Sequence, residues 1–343
     1  MKAVVFQGPG RLSVQDVAEP RIEEPTDAIV KVSLTAICGS ELPAYRGQIE
    51  RPAGGIGHEF VGTVSAAGNA VKRVEVGQRV VSPFSVACGG CFYCKQGLLT
   101  ACERSQAFGK QLPGAQAEYV RVPNADAMLE LVPASLSDEK AIFAADLLTG
   151  VYAALTLAGL KAGDSVAVLG CGPTGLAAQL MARTMGAGQI FAIDHHDYRL
   201  DAARKAGALA LNFEREDAAE HVRSATGGRG ADVAVEAVGT AKALADGVGL
   251  TRRWGTLLSL GTQLDQTPAI FPIAELTGNH IRLVPAGSPA VKNYMAPVLK
   301  MLAGGVVDPA PIISHTLALA EAPRGFEMMA ARSGGALKVL LRP

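Results

Sequence analysis

The stretch Val166-Ala167-Val168-Leu169-Gly170-Cys171-Gly172-Pro173-Thr174-Gly175-Leu176-Ala177-Ala178-Gln179-Leu180-Met181-Ala182 decides the fold of this chain. Its first four residues read as a buried strand, and the run after Gly175 reads as a helix. Between them stands a Gly-x-Gly-x-x-Gly motif, in the context it requires. Gly170 permits a tight turn, Gly172 lets backbone approach a pyrophosphate, and Gly175 lets the helix pack on the strand. The helix N-terminus adds N–H donors and a partial positive charge for phosphate groups, with Thr174 in its first turn. Pro173 suits that turn, where a missing N–H costs nothing. The alternative, a glycine-rich turn without a ligand, does not account for the flanking strand and helix.

Working forward, Asp194 ends the next apolar run, nineteen positions after Gly175. An acidic side chain there binds both ribose hydroxyls and repels a 2′-phosphate, which argues for NAD over NADP. A helix N-cap is the competing reading, and His195 and His196 would soften the discrimination if protonated. Arg199 lies close enough in sequence to line the adenosine pocket. Further apolar runs, Val233-Ala234-Val235-Glu236, Thr256-Leu257-Leu258-Ser259-Leu260 and Ile281-Arg282-Leu283-Val284, alternate with helical segments. That alternation predicts an α/β fold with a doubly wound parallel sheet of five or six strands over residues 150–285.

Working backward, residues 1–149 read as β-rich, with short alternating runs such as Ala28-Ile29-Val30-Lys31-Val32 punctuated by Gly and Pro. The segment 286–343 holds a helix near Tyr294 to Leu302 and a strand at Ala336 to Leu341, too little for a domain, so it is expected to return to the first one. The chain has 343 residues, with 32 Lys+Arg against 32 Asp+Glu. That length suits two domains, and the balanced charge lacks the basic excess that draws proteins to nucleic acid or anionic membranes. No unbroken apolar run approaches the roughly 20 residues that cross a bilayer. Met1-Lys2-Ala3-Val4-Val5-Phe6 reads as a first strand, not a signal-peptide core, and a cytoplasmic location is expected.

Four of the six cysteines, Cys88, Cys91, Cys94 and Cys102, fall within fifteen residues. Four thiolates on a short glycine-containing loop close a tetrahedral zinc shell and leave no position for substrate, so this site would be structural. A redox disulfide pair and a nucleic-acid zinc ribbon are the alternatives. A second constellation is scattered: Cys38, His58 with Glu59, and Asp146. Together they offer one thiolate, one imidazole and one or two carboxylates, enough for a zinc site with a labile position.

With these segments in place the chain resembles the zinc-dependent medium-chain alcohol dehydrogenases over essentially its whole length. The resemblance rests on Ile37-Cys38-Gly39-Ser40-Glu41, Gly57-His58-Glu59-Phe60-Val61-Gly62, the four-cysteine lobe, Ala145-Asp146-Leu147-Leu148-Thr149-Gly150 and the glycine loop. It implies a GroES-like catalytic domain, 1–149 completed by 286–343, with a Rossmann domain inserted at 150–285. It implies two zinc ions per chain, the catalytic one on Cys38, His58 and Asp146 with Glu59 as a neighbouring carboxylate that coordinates transiently. Ser40 would take the alcohol proton, and Thr149, Val238, Leu260 and Gly261 would line the nicotinamide channel. Phe84 and Phe108 fall in segments that wall the family's substrate pocket, which would favour apolar or aromatic alcohols. A homo-oligomer, a tetramer before a dimer, is expected.

Two departures stand out: Glu41 where the family usually has Asp, and Leu42-Pro43 where a histidine often follows. Pro43 cannot shuttle protons, so a relay would run from Ser40 through ribose and water or another side chain. Rival readings are polyol, sugar or threonine dehydrogenases of the same family, a zinc-free quinone reductase of the same fold, and a dinucleotide-holding redox sensor without turnover. The cysteine lobe and the Cys38, His58, Asp146 set count against the quinone reductase, and Ser40 with the open-site ligands counts against the sensor.

Overall fold

The computed structural model describes residues 1–261, 272–287 and 291–343. The chain divides into two units. One comprises Met1–Thr149, Ala290–Val306 and Ile313–Pro343; the other comprises Gly150–Pro289 and Val307–Ile312.

The second unit is a six-stranded sheet in the order Leu209–Asn212, Gln189–Asp194, Ser165–Leu169, Ala231–Glu236, Thr251–Ser259, Arg282–Pro285. Every neighbouring pair is parallel. Numbered within the unit, the order is 3-2-1-4-5-6, the dinucleotide-binding topology, and the switch point lies between Ser165–Leu169 and Ala231–Glu236. Parallel strands covered on both faces are apolar throughout, and Val166, Ala167, Val168, Ala234 and Val235 are fully buried. Leu209–Asn212 is the strand that the sequence does not announce, since four residues carry too little pattern.

The first unit is built on antiparallel strands. Ala28–Ala36 is its spine: it pairs with Phe60–Ala67, with Tyr119–Val122, and with the C-terminal strand Lys338–Arg342. The C-terminal segment thus completes the β-rich unit. Its strand also pairs, in parallel, with Ile313–Ala318. Two apolar clusters fill the unit. One gathers Val30, Phe60, Val80, Phe108 and Leu112; the other gathers Val4, Ile37, Phe326 and Val339. Each fully buried side chain of this size contributes about 1.5–3 kcal/mol.

By length and composition alone, the 21-residue helical run Asp138–Ala158, mean hydropathy 1.7, could cross a membrane, which counting unbroken apolar residues does not reveal. However, 72% of that window is buried inside the protein. It is a core segment, and Asp146 lies in the turn between its Ile142–Ala144 and Leu147–Ala158 parts.

Candidate active site

Cys38 leaves the spine strand in an extended conformation and caps a single helical turn, Gly39–Glu41. That turn folds two side chains back: the Ser40 hydroxyl donates to Cys38 Sγ at 3.3 Å, and the Cys38 N–H donates to Glu41 Oε2 at 3.1 Å. Gly57 precedes His58 with φ +100°, and a Cβ there would stand 2.5 Å from Gln116, so the loop that delivers His58 needs glycine. The ligand-capable atoms of Cys38, His58, Glu59 and Asp146 all lie within 4.8 Å of one another.

His58 is held from behind. Its Nδ1 lies 3.3 Å from Glu41 Oε1, while Nε2 faces Asp146 Oδ2 at 3.8 Å. Glu41 is buried, and its Oε2 also accepts from Gln116 Nε2 at 3.2 Å. The residue that departs from the family's usual Asp therefore orients the imidazole. Burial works against charging the ring, but the Cys38 sulfur and the Glu41 carboxylate outweigh it and hold the His58 pKa well above the ordinary imidazole value. Asp146 Oδ1 is buried without a hydrogen-bond partner. A pocket with an orphaned carboxylate oxygen, an imidazole and a soft sulfur ligand fits a divalent zinc-like ion. Glu59 is engaged from the other side by the Lys338 ammonium. Gln116 and Lys338 are additions to the sequence reading, and Glu41, there only a departure from the family's pattern, gains a place behind His58.

In the cysteine lobe, Sγ–Sγ distances are 3.5 Å for Cys91–Cys94 and 3.9 Å for Cys88–Cys94 and Cys91–Cys102. A tetrahedral shell with bonds of about 2.3 Å separates its sulfurs by roughly 3.8 Å, so the four thiols are already spaced for an ion. All are free thiols. Backbone N–H groups of Gly90 and Cys91 lower the Cys88 pKa to about 6, whereas burial and neighbouring thiols push Cys94 up to about 12. Backbone N–H groups of Cys94 and Glu103 lower the Cys91 pKa as well, so two sulfurs are biased toward thiolate, while deprotonating Cys94 falls to the ion.

At the switch point of the parallel sheet, Gly170 has φ +89° and Pro173 opens the helix Pro173–Thr184. A Cβ on Gly175 would stand 1.7 Å from the Gly170 carbonyl oxygen, which makes this glycine obligatory. Gly172 and Thr174 flank Pro173 and are half-buried. Asp194 accepts from the N–H groups of Cys171, His195 and His196 at 2.8–3.0 Å, and Arg199 Nη1 lies 3.6 Å away. Burial alone would raise its pKa, but these donors more than reverse that and hold it below the usual carboxylate value. Across the crevice, Val238 is 48% exposed, while Leu260 is buried and Gly261 half-buried. Glu236 organises them: its carboxylate accepts from Val238 and Gly239 N–H, and its carbonyl from Leu260 and Gly261 N–H. That buried acid is a further residue the sequence reading missed, although its place at a strand end was legible.

The remaining residues divide. Phe84 meets His58 edge-on with ring centroids 6.4 Å apart, beside the ligand cluster. Phe108 corrects the expectation of a pocket wall: it is 2% exposed and packs edge-on against Phe60 in the core. Thr149 is buried, its hydroxyl donating to the Ala144 carbonyl at 2.9 Å.

Two family models match the chain: the alcohol dehydrogenase GroES-like domain over residues 24–134 and the zinc-binding dehydrogenase domain over 173–304. An uncharacterized zinc-type alcohol dehydrogenase-like protein of Bacillus subtilis is 34% identical over 100% of both chains. The L-threonine 3-dehydrogenase of the same organism is 33% identical, covering 96% of this chain and 94% of its own. Among solved structures, the alcohol dehydrogenase TADH from Thermus sp. ATN1 superposes with a TM-score of 0.95 at 41% identity, covering 100% of this chain and 99% of that one. With the parallel 3-2-1-4-5-6 sheet, the antiparallel partner unit and these likenesses together, the chain belongs to the zinc-dependent medium-chain alcohol dehydrogenase family.

Proposed function

We propose that this protein catalyses reversible hydride transfer between a primary or secondary alcohol and NAD, with one catalytic and one structural zinc per chain. The observation that carries this reading is the convergence of Cys38, His58, Glu59 and Asp146, with ligand atoms within 4.8 Å, beside a serine hydroxyl. Cys38, His58 and Asp146 would hold the catalytic ion, and Cys88, Cys91, Cys94 and Cys102 the structural one. A zinc ion supplies Lewis acidity that eases ionisation of an alcohol near neutral pH.

The chain's own residues do the rest. Glu41 fixes the His58 ring with Nε2 toward the ligand set. Ser40 Oγ, adjacent to the Cys38 sulfur, receives the substrate's hydroxyl proton and passes it toward solvent, since Pro43 cannot. The first turn after Gly172 binds the pyrophosphate through backbone N–H groups. Asp194 and Arg199 take the adenosine ribose, and the carboxylate disfavours a 2′-phosphate, which supports NAD over NADP. Phe84 beside His58 favours alcohols with an apolar group. Free thiols committed to metal support a reducing, cytoplasmic location, and a homo-oligomer, tetramer before dimer, completes the proposal.

The test is reduction of NAD and NADP, offered separately, by purified protein with primary, secondary, aromatic and polyhydroxy alcohols and threonine, with metal content measured on the same sample. Turnover with NAD and simple alcohols at about two zinc per chain is expected. Turnover with polyols or threonine alone would keep the machinery and move the substrate. No turnover in a protein carrying both ions would leave a dinucleotide-holding module instead.

A further inference from the structure

The strand Lys338–Arg342 reads Lys-Val-Leu-Leu-Arg, and its first four residues are buried. Val339 and Leu341 point into an apolar cluster, so Lys338 and Leu340 project from the opposite face. Lys338 is 3% exposed and pairs with Glu59, which is 1% exposed. A lysine so placed is costly unless its partner is essential to it, and here the two meet across 279 positions of sequence.

The backbone makes the pair rigid. Ile37 N–H donates to the Val339 carbonyl at 3.0 Å, which sets Lys338 beside the strand end that delivers Cys38. Thr35, paired in register with Leu341, donates its hydroxyl to the Glu59 carbonyl at 2.7 Å. Glu59 is therefore clamped at both backbone and carboxylate, and its oxygen still lies within 4.8 Å of the other three ligand atoms.

Charge bookkeeping shows what the clamp does. Once an ion is bound, Cys38 as thiolate, Asp146 and Glu59 would offer it three negative charges, with the buried Glu41 carboxylate a further one behind His58. The Lys338 ammonium is the cation paired directly with Glu59. Without that ammonium the strongest cation within reach of Glu59 would be the ion, and a fourth protein ligand would turn an exchangeable site into a closed one, as in the four-cysteine lobe.

We propose that Lys338 is a positioning residue that holds the Glu59 carboxylate off the catalytic metal and so keeps one of its positions exchangeable. The inference rests on the metal-site reading above.

The test uses the full-length protein with cobalt(II) in place of zinc, whose visible spectrum reports ligand number, and imidazole as the probe of an exchangeable position. Wild type, Lys338→Arg, Lys338→Met and the double variant Lys338→Met/Glu59→Gln are compared as folded, metal-loaded samples. Lys338→Met is expected to weaken the imidazole-induced spectral change by about tenfold or more in affinity. The double variant restores it to within about threefold, because glutamine carries no charge to bring to the ion. Lys338→Arg, which keeps the cation, also stays within about threefold. Wild-type affinity in folded Lys338→Met overturns the proposal, as does a tenfold loss in Lys338→Arg, which remains measurable if the methionine variant does not fold. A cobalt-loaded wild type whose spectrum ignores imidazole likewise overturns the proposal, whereas a wild type that takes up cobalt in the four-cysteine lobe alone is a different failure and removes the metal-site reading itself.

Discussion

At the scale of single residues, His58 concentrates the chemistry because its two ring nitrogens face different tasks. Glu41 engages Nδ1 and leaves Nε2 among the ligand atoms. His58→Ala should abolish alcohol oxidation and lower the metal content by about one ion per chain while the circular dichroism of the fold persists; normal turnover would sink the metal assignment. Glu41→Gln keeps the shape but removes the charge behind the ring, and a loss of about 10–100-fold in activity or metal affinity is expected. Asp194 belongs to the same scale. Asp194→Gly should raise the efficiency with NADP relative to NAD by at least about tenfold, and unchanged relative efficiencies would mean that the carboxylate does not meet the ribose. Folding lowers the Asp194 pKa, so its charge stabilises the protein above the ordinary carboxylate range and this contribution is lost as pH falls through the folded value. Acid unfolding of Asp194→Asn should accordingly depend less on pH than that of wild type. Residue placement was legible where a motif dictates it, as for Cys38 beside His58 and Asp146 and for Gly175 against Gly170. It was not legible where a partner arrives from far along the chain: Gln116 reaches Glu41 across 75 positions, and Phe108 proved to be core because Phe60, 48 positions earlier, packs on it.

At the scale of elements, the strand, turn and helix from Ser165 to Thr184 could be read from sequence because each part demands its own residue type at a fixed spacing. The close approach of Gly175 to the Gly170 carbonyl shows the demand physically. Gly175→Val should cost about 1–3 kcal/mol through overpacking and eliminate dinucleotide binding measured by fluorescence; retained binding would refute the role given to this turn. Short elements were harder: Leu209–Asn212 became a strand because Gln189–Asp194 offers it an edge, not because of its own pattern. The cysteine loop is an element of another kind, since its helical turn Phe92–Lys95 is too short to stand alone and the thiols supply the missing core. Cys91→Ser should therefore lose about one zinc per chain and lower the Tm by roughly 2–4 °C for each kcal/mol lost, with turnover per folded molecule largely kept. Equal loss of turnover and zinc would make the lobe part of the chemistry.

At the scale of the whole molecule, each unit has its own sheet and its own apolar core, and the proposed function gives each a different kind of ligand. A ligand that binds only the native state stabilises it by RT ln(1 + [L]/Kd), about 2.7 kcal/mol at a hundredfold excess over Kd. That stabilisation appears first in the amides nearest the ligand, because local openings are what the ligand suppresses. Hydrogen exchange should consequently map the two ligands onto different sequence ranges. NAD is expected to slow exchange in 170–176, 194–199 and 236–261, where the glycine turn, Asp194 and the Glu236-organised loop face the switch point. A chelator is expected to speed exchange in 37–60 and 88–104, where Cys38, His58 and the four cysteines are gathered by loops and single helical turns, and where the Cys88, Gly90 and Arg104 N–H groups donate to cysteine sulfurs. If instead NAD left the glycine turn unprotected, the dinucleotide reading would fail although the fold stood. If the chelator left both cysteine-bearing ranges unchanged, the pockets would be organised by protein contacts alone, and the orphaned Asp146 oxygen and the matched sulfur spacings would need another cause.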